Sequence, residues 1–214
     1  MRVGIIGSGD VGKALARGFF SRGHVVTIGS REPEKLADFV KDHADRMHAA
    51  TFEETARSGD ELVVLATAWA GTENAIELAG KENFRGKVVI DATNPLKFEQ
   101  GKPLALAVFG EDSAGERVQR WLPDARVVKA FNTVGNAQFV DPHFPNGPPS
   151  MFIAGNDDAA KNTVAQIAEA FGWDVVDAGT IESSRYLEAM AIVWISYAFR
   201  TQTWQHAFKL LHKP

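Results

Sequence analysis

Short apolar runs rich in Val and Ile recur along this chain, separated by longer stretches with apolar residues at three- and four-residue spacing. That alternation predicts parallel strands joined by crossover helices. The runs fall near Arg2–Ile6, His24–Ile28, Met47–Ala50, Glu61–Ala66, Lys87–Asp91, Arg126–Ala130, Met151–Ala154 and Asp174–Asp177, the third being short and mixed. The first six are expected to form one doubly wound sheet. Helical period is plainest over Val11–Phe20 and Ala159–Phe171, and Asp157 and Asp158 are placed to cap or charge the start of the second. Lys97–Pro103 and Asp141–Ser150 read as loops, the latter because Pro142, Pro145, Gly147, Pro148 and Pro149 forbid regular structure. This Pro-rich loop is expected to be a surface connection, with a lid as the alternative. From about Ser183 to Leu211 the pattern is helical again. Here Trp194, Tyr197, Phe199, Trp204 and Phe208 supply more apolar surface than a simple covering helix needs. That surplus is expected to be buried on the chain's own sheet or in a homodimer.

Composition narrows the chemistry. The 214 residues carry a net charge of -4, with basic residues scattered, so neither nucleic acid nor an anionic membrane surface is an expected partner. The chain has no cysteine, which excludes disulfides, thiolate catalysis, iron–sulfur clusters and Cys-based zinc sites. The apolar run at Met1–Gly7 meets glycine too early for a signal peptide, so a cytoplasmic protein is expected. The apolar stretch Ala189–Phe199 falls short of the about 20 residues that span a bilayer, and reads as a buried helix.

Gly7-Ser8-Gly9-Asp10-Val11-Gly12 is a G-x-G-x-x-G. Alone it is a weak signal, but it follows the first expected strand and opens the first expected helix, the context of a dinucleotide fingerprint. Gly7 is expected to allow the tight turn, Gly9 to admit the pyrophosphate, and Gly12 to let helix and strand pack closely. The N–H groups at the helix start face the anion. Asp10 is expected to turn away from the phosphates and cap the helix.

NAD-binding folds end the second strand with an acid that holds the ribose hydroxyls. This chain has Gly29-Ser30-Arg31 there, with Lys35 close behind. Gly29 is expected to leave room where the carboxylate would stand, while Ser30 offers a hydroxyl and Arg31 a planar fork suited to phosphate. The expected ligand is NADP(H). In an open parallel sheet ligands bind beyond the carboxyl ends of the strands. Thr67, Ala68 and Trp69 follow the fourth strand, Asn94 and Pro95 the fifth, and Asn132, Thr133 and Val134 the sixth. Asn94 and Asn132 suit the carboxamide and nicotinamide ribose, or a substrate. Trp69, Leu96, Val134, Met151 and Trp194 are candidate walls for an aromatic acceptor.

No Ser–His–Asp set, paired acid–base carboxylates or metal-ligand spacing is evident, and no catalytic residue or metal is expected. His24, His43, His48, His143, His206 and His212 are dispersed and read as surface or helix-end residues. A missing acid disfavours reduction of an imine or carbonyl, and does not impede hydride transfer from ring to ring.

Gly7-Ser8-Gly9-Asp10, Gly29-Ser30-Arg31, Val127–Thr133 and Asp177-Ala178-Gly179 followed by Ser184-Arg185 resemble the NADPH:deazaflavin (coenzyme F420-dependent) oxidoreductases. They resemble equally the NADPH-binding domain of the STEAP-type metalloreductases. The likeness implies a Rossmann-like α/β fold, a doubly wound parallel sheet with a small C-terminal helical or αβ part. Residues 1–140 are then the NADP-binding domain, and residues 141–214 a smaller part packed on it that completes the acceptor pocket. By position, Ser8, Ser30, Arg31 and Lys35 form the 2′-phosphate site, while Asn132, Thr133 and Val134 flank the nicotinamide. The implied partner is a small-molecule redox acceptor, coenzyme F420 or a flavin (FMN or FAD), in a homodimeric enzyme. The alternative is an NADP(H)-binding redox sensor or electron-transfer partner domain without turnover. Arg185 meets an anionic tail of the acceptor or is a solvated helix end.

Overall fold

The computed structural model describes residues 1–43, 45–211 and 213; Ala44, His212 and Pro214 lie outside the described residues, and with His212 the surface role expected of it. The chain runs β1 (Arg2–Ile6), α1 (Asp10–Ser21), β2 (Val25–Gly29), α2 (Ala37–Val40), β3 (Met47–Ala50), α3 (Phe52–Ser58), β4 (Leu62–Leu65), α4 (Thr72–Ala79) and β5 (Val88–Asp91). It continues through β6 (Leu96–Lys97), β7 (Ala105–Leu106), α5 (Ala114–Trp121), β8 (Arg126–Lys129), β9 (Ser150–Gly155), α6 (Asp158–Ala170), β10 (Asp174–Asp177) and α7 (Ser184–Thr201).

Eight strands form one sheet in the order β10-β9-β8-β5-β4-β1-β2-β3. The order reverses beside β1, which places the carboxyl ends of β1 and β4 at the crevice where doubly wound folds take ligands. The buried strands are apolar on both faces because helices cover both. Val3 and Ile5 of β1 point into a core with Leu15 and Phe19 of α1, Val164 of α6 and Phe171 at the end of α6. Ile6 points the other way, among Ala56 of α3, Ile76 of α4 and Val118 of α5. Gly4 completes that face: a Cβ there would lie 2.4 Å from the Thr55 carbonyl oxygen, so α3 lies against bare strand backbone.

The sheet is larger than the six strands expected of it. β9 pairs antiparallel with β8, and β10 parallel with β9, so the C-terminal αβ part extends the sheet edgewise. Asp157 caps α6 as expected, its Oδ1 accepting the Ala160 N–H at 2.7 Å. The loop expected at Lys97–Pro103 contains instead the turn of a two-residue antiparallel hairpin, β6 with β7, too short to show a period.

The helix expected to reach Leu211 stops at Thr201, where Gln202 takes a left-handed conformation at φ 57°. The remaining chain turns back. Phe208 offers its carbonyl to the Ser150 N–H at 2.9 Å, and the Trp194 indole donates to the His206 carbonyl at 2.9 Å. α7 is not the fully buried helix its composition suggested. Leu187, Ala191, Trp194 and Ala198 face inward, whereas Tyr186, Val193 and Tyr197 are exposed. Among the described residues no helix is long and apolar enough to cross a membrane. The Pro-rich segment is tied down at its start: Asp141 pairs with Arg22 at 2.5 Å, at the end of α1 away from the glycine loop, and its N–H reaches the Phe171 carbonyl.

Candidate functional site

Gly7, Ser8 and Gly9 make the turn between β1 and α1, and the glycines of this loop divide the work. Gly7 holds φ at +123°, and a Cβ on it would lie 2.5 Å from the Ala66 carbonyl oxygen. A Cβ on Gly12 would lie 2.0 Å from the Gly7 carbonyl oxygen, so helix and turn are in backbone contact. Gly9 has nothing within 4 Å of that position and leaves its backbone open to a ligand. Gly9 is also the N-cap of α1 and makes no side-chain cap bond, which frees the first-turn N–H groups for an anion. Asp10 does not cap. It is the first residue inside the helix, with its side chain exposed. Val11 packs half-buried on the core.

A cleft of about 460 Å³ opens over this loop. It brings together Gly7, Ser8 and Gly9 from the turn, Ser30, Arg31 and Lys35 beyond β2, and Thr67 and Ala68 beyond β4. The two serines meet across the turn with hydroxyl oxygens 3.4 Å apart, and Ser30 Oγ accepts the Glu32 N–H at 3.2 Å, opening the 3-10 turn Pro33–Leu36. Arg31 is exposed and has no ion-pair partner among the described residues. Lys35 is held by Glu32 at 2.8 Å, so it offers the cleft a shared charge. Gly29 differs from expectation. A Cβ there would stand 2.8 Å from Thr55 Oγ1 and 3.1 Å from the Phe52 ring, so α3, not a ligand, occupies the space of the missing side chain.

Other lining residues lie outside the set expected from the sequence, among them Lys13, Phe52 and Asn74. Lys13 adds a cation one turn into α1, its ammonium 5.7 Å from the Phe39 ring centre. Its place directly after the last glycine of the fingerprint is a usable signal. Phe52 and Asn74 arrive from α3 and α4, and no local pattern marks them.

Trp69 does not line this cleft. Its indole stacks on Trp121 of α5, with ring centres 5.5 Å apart and planes 20° from parallel. Met151 and Trp194 are core residues as well. Met151 is buried with its sulfur accepting the Phe131 N–H at 3.2 Å, and Trp194 stacks on His206 at 4.3 Å. His206 is thus half-buried, not a surface residue. Leu96 sits half-buried in the hairpin.

Asn94, Pro95, Asn132, Thr133 and Val134 form a second group, at the ends of β5 and β8. The two amides interlock: Asn94 Nδ2 donates to the Asn132 carbonyl at 2.8 Å, and Asn132 Nδ2 donates to Asn94 Oδ1 at 3.1 Å. Asn132 Oδ1 remains buried with no hydrogen-bond partner among the described residues. An orphaned buried acceptor of this kind costs about 1–3 kcal/mol, a cost that a donor on a ligand removes. Phe131, just before it, is held at φ 63°, a region that bulky residues avoid.

Below this group lies a buried ionic cluster. Lys129, fully buried, pairs with Asp91 at 2.6 Å and with Glu188 of α7 at 2.9 Å. Burial works against its charge, but the two carboxylates outweigh burial and raise its pKa above the ordinary lysine range. Arg185 is consumed nearby by a two-pronged contact with Glu116, at 2.8 and 2.5 Å, so it is neither a solvated end nor free for an acceptor. That pair holds the Glu116 carboxyl below its usual range despite partial burial. Among the described residues no cluster of His, Cys, Asp or Glu is arranged to hold a metal ion.

Comparison with known proteins gives the family. Residues 2–95 match the family described as NADP oxidoreductase, coenzyme F420-dependent. The F420-dependent NADP reductase of Methanocaldococcus jannaschii is 31% identical over 202 residues, covering 89% of each chain. Rat metalloreductase STEAP3 is 30% identical over 191 residues, but the aligned part is 89% of this chain and only 36% of that protein. Among solved structures, a putative F420-dependent NADP reductase from Arthrobacter sp. FB24 superposes with a TM-score of 0.93 at 37% identity, covering 99% of this chain and 100% of the other.

Proposed function

This chain belongs to the coenzyme F420-dependent NADP oxidoreductase family, and on that premise we propose that it transfers a hydride between NADPH and a deazaflavin, holding the dinucleotide across the two groups of residues described above. The observation that carries the reading is a pair of ligand-ready groups at the two ends of the site. Unpaired Arg31 stands beside Ser8 and Ser30 at one end, and the orphaned Asn132 Oδ1 at the other. The first suits a 2′-phosphate and the second the N–H of a carboxamide.

When bound, the dinucleotide supplies the hydride and the deazaflavin ring takes it up. The chain's own residues bind and align. The open backbone of Gly9 and the first turn of α1 receive the pyrophosphate, Arg31 with Lys35 and Lys13 neutralises the 2′-phosphate, and the Asn94–Asn132 pair orients the nicotinamide. Thr133 and Val134 continue that wall. An apolar pocket of about 350 Å³ between the hairpin and α7, lined by Leu106, Phe109 and Ile192, is suited to the acceptor's ring. The hairpin leaves the strand ends directly at Asn94 and Pro95, and the Ala107 N–H returns to the Pro95 carbonyl at 2.6 Å, so the pocket adjoins the nicotinamide end. On this reading residues 141–214 complete the acceptor side of residues 1–140, and the protein works in the cytoplasm.

We also propose a homodimer. Tyr186, Val193 and Tyr197 form a stripe on the outer face of α7, exposed by 70%, 60% and 43%, and Phe109 beside them is exposed by 76%. Exposed apolar residues repeated along one helix face suit an interface. A strictly monomeric species in sedimentation at micromolar concentration removes the dimer.

The activity is tested by following NADPH oxidation with deazaflavin, FMN, FAD and ferric chelates in turn. Turnover with the deazaflavin is expected. Tight NADPH binding with no turnover on any of the four shifts the reading to a redox sensor or partner domain.

A further inference from the structure

The Asp91–Lys129–Glu188 cluster is a costly thing to bury. Each ion brought out of water loses its hydration, and apolar side chains of like volume often serve a core as well or better. Its partners are not arranged at random. Three oxygens surround the Lys129 ammonium: Asp91 Oδ2 at 2.6 Å, Glu188 Oε1 at 2.9 Å and the Thr93 carbonyl at 3.0 Å. Asp91 uses its other oxygen on Thr93 too, accepting the N–H at 2.9 Å and the hydroxyl at 2.7 Å. Thr93 is therefore gripped on every polar atom of its backbone and side chain, and the carbonyl that Lys129 holds belongs to the peptide leading into Asn94.

Lys129 also closes β8, and the next residues run through strained Phe131 to Asn132. A bulky residue in the left-handed region persists only where its surroundings fix it. Phe131 is fixed by its ring among Phe139 and Phe171 and by its N–H on Met151. Lys129 anchors the strand before it. One ammonium thus stands behind both members of the Asn94–Asn132 pair. Through Glu188, which also accepts the Ala114 and Gly115 N–H groups at 3.0 Å each, it joins that pair to α7 and the start of α5.

We propose that Lys129 is a positioning residue for hydride transfer: its ammonium fixes the peptide that carries Asn94, and through the interlocked amides it aims the free acceptor of Asn132 at the nicotinamide. This rests on the dinucleotide reading given above. Lys129 touches neither cofactor nor acceptor; it acts through Thr93 and Asn94.

Lys129→Met alone leaves two buried carboxylates facing each other and can unfold the chain. The decisive variant is the triple substitution Lys129→Met/Asp91→Asn/Glu188→Gln. It removes the ammonium, while the Asp91→Asn amide keeps an oxygen for the Thr93 N–H and hydroxyl and the Glu188→Gln amide keeps one for one of the two α5 N–H groups. Thermal unfolding checks that it folds, and 2′,5′-ADP binding probes the phosphate end alone. The fluorescence of bound NADPH reports the nicotinamide's surroundings, and steady-state kinetics with the deazaflavin separates kcat from KM. The expected result is unchanged 2′,5′-ADP affinity, loss of the NADPH fluorescence change on binding, and kcat down by about tenfold or more with KM for NADPH moved far less. A folded variant with wild-type fluorescence and kcat overturns the proposal and leaves the cluster a structural clamp. Equal loss of 2′,5′-ADP binding, or a variant that does not fold, overturns it too, since the cluster then supports the whole molecule. Failure of the unmodified protein to bind NADPH is a different result, and brings down the dinucleotide reading itself.

Discussion

The two ends of the site are built in opposite ways. At the phosphate end the ligand-ready groups are exposed or half-buried and lie on loops beyond β1 and β2, with charge supplied by Arg31, Lys13 and the Lys35–Glu32 pair. At the nicotinamide end they are neutral amides, Asn132 buried and Asn94 half-buried, locked to each other and backed by an ionic cluster with no exposure at all. The difference follows from what each end must do. A phosphate brings its own charge and needs only donors within reach, whereas hydride transfer requires a ring to be held in one orientation. On the dinucleotide reading proposed above, affinity is concentrated at the loose end and alignment at the rigid one.

Three substitutions put that contrast at risk, and a fourth serves as a baseline. Gly12→Ala has the largest expected effect. Its methyl would lie 2.0 Å from the Gly7 carbonyl oxygen, a backbone atom, so the turn must shift; stability falls by about 1–3 kcal/mol, and 2′,5′-ADP affinity is expected to fall by at least about tenfold as the loop is displaced. Calorimetric titration measures it, and unchanged binding means that the loop is not where the phosphates sit. Arg31→Asp comes next. The NADPH dissociation constant should rise by at least about tenfold with NADH little affected, as expected when one charge-assisted hydrogen bond is removed. Equal binding of NADPH and NADH by the unmodified protein refutes the 2′-phosphate site.

Asn132→Ala probes the other end. It is expected to lower kcat several-fold, of the order of 1 kcal/mol for one hydrogen bond, while 2′,5′-ADP binds as before. Coupled losses of kcat and 2′,5′-ADP affinity would show that the two ends are not independent. The smallest effect lies outside both ends and serves as a baseline. His24 is held below the ordinary histidine range by burial and by the N-terminal ammonium, which lies 3.2 Å from its Nδ1. The unfolded chain therefore takes up this proton before the folded one does. The contribution is full above the ordinary histidine pKa of about 6.5 and is lost as pH falls from there through the lowered pKa of the folded chain. In urea unfolding, His24→Gln should flatten the slope of stability between about pH 7 and about pH 5 and leave NADPH binding unchanged. An unaltered slope removes His24 as its source.

The expected strands match those observed to within a residue at most ends, because a buried strand shows its apolar run directly. The hairpin at Leu96–Lys97 and Ala105–Leu106 leaves no such trace, since two-residue strands have no period to detect. The C-terminal helical pattern overruns Thr201 for a different reason. The aromatic residues beyond that point carry apolar surface whichever way the chain runs, and only the contacts of Trp194, His206 and Ser150 show that it turns back. Asp10 suits a cap by residue type, although its position inside the first turn leaves that role to Gly9. Trp69 follows a strand as a cleft residue would, and the stacking partner that draws it away comes from α5.

The α/β alternation, the glycine loop and the serine–arginine pair beyond β2 are all legible without the fold. Each rests on residues close together in the chain, whose spacing alone sets the turn, the helix start and the charge beside it. The folded chain was needed to show that Asn94 and Asn132, 38 residues apart, interlock, that Gly29 admits α3, and that Lys129 is buried between carboxylates from β5 and α7. A buried polar group takes its meaning from the partners that replace water around it, and those partners come from distant parts of the chain.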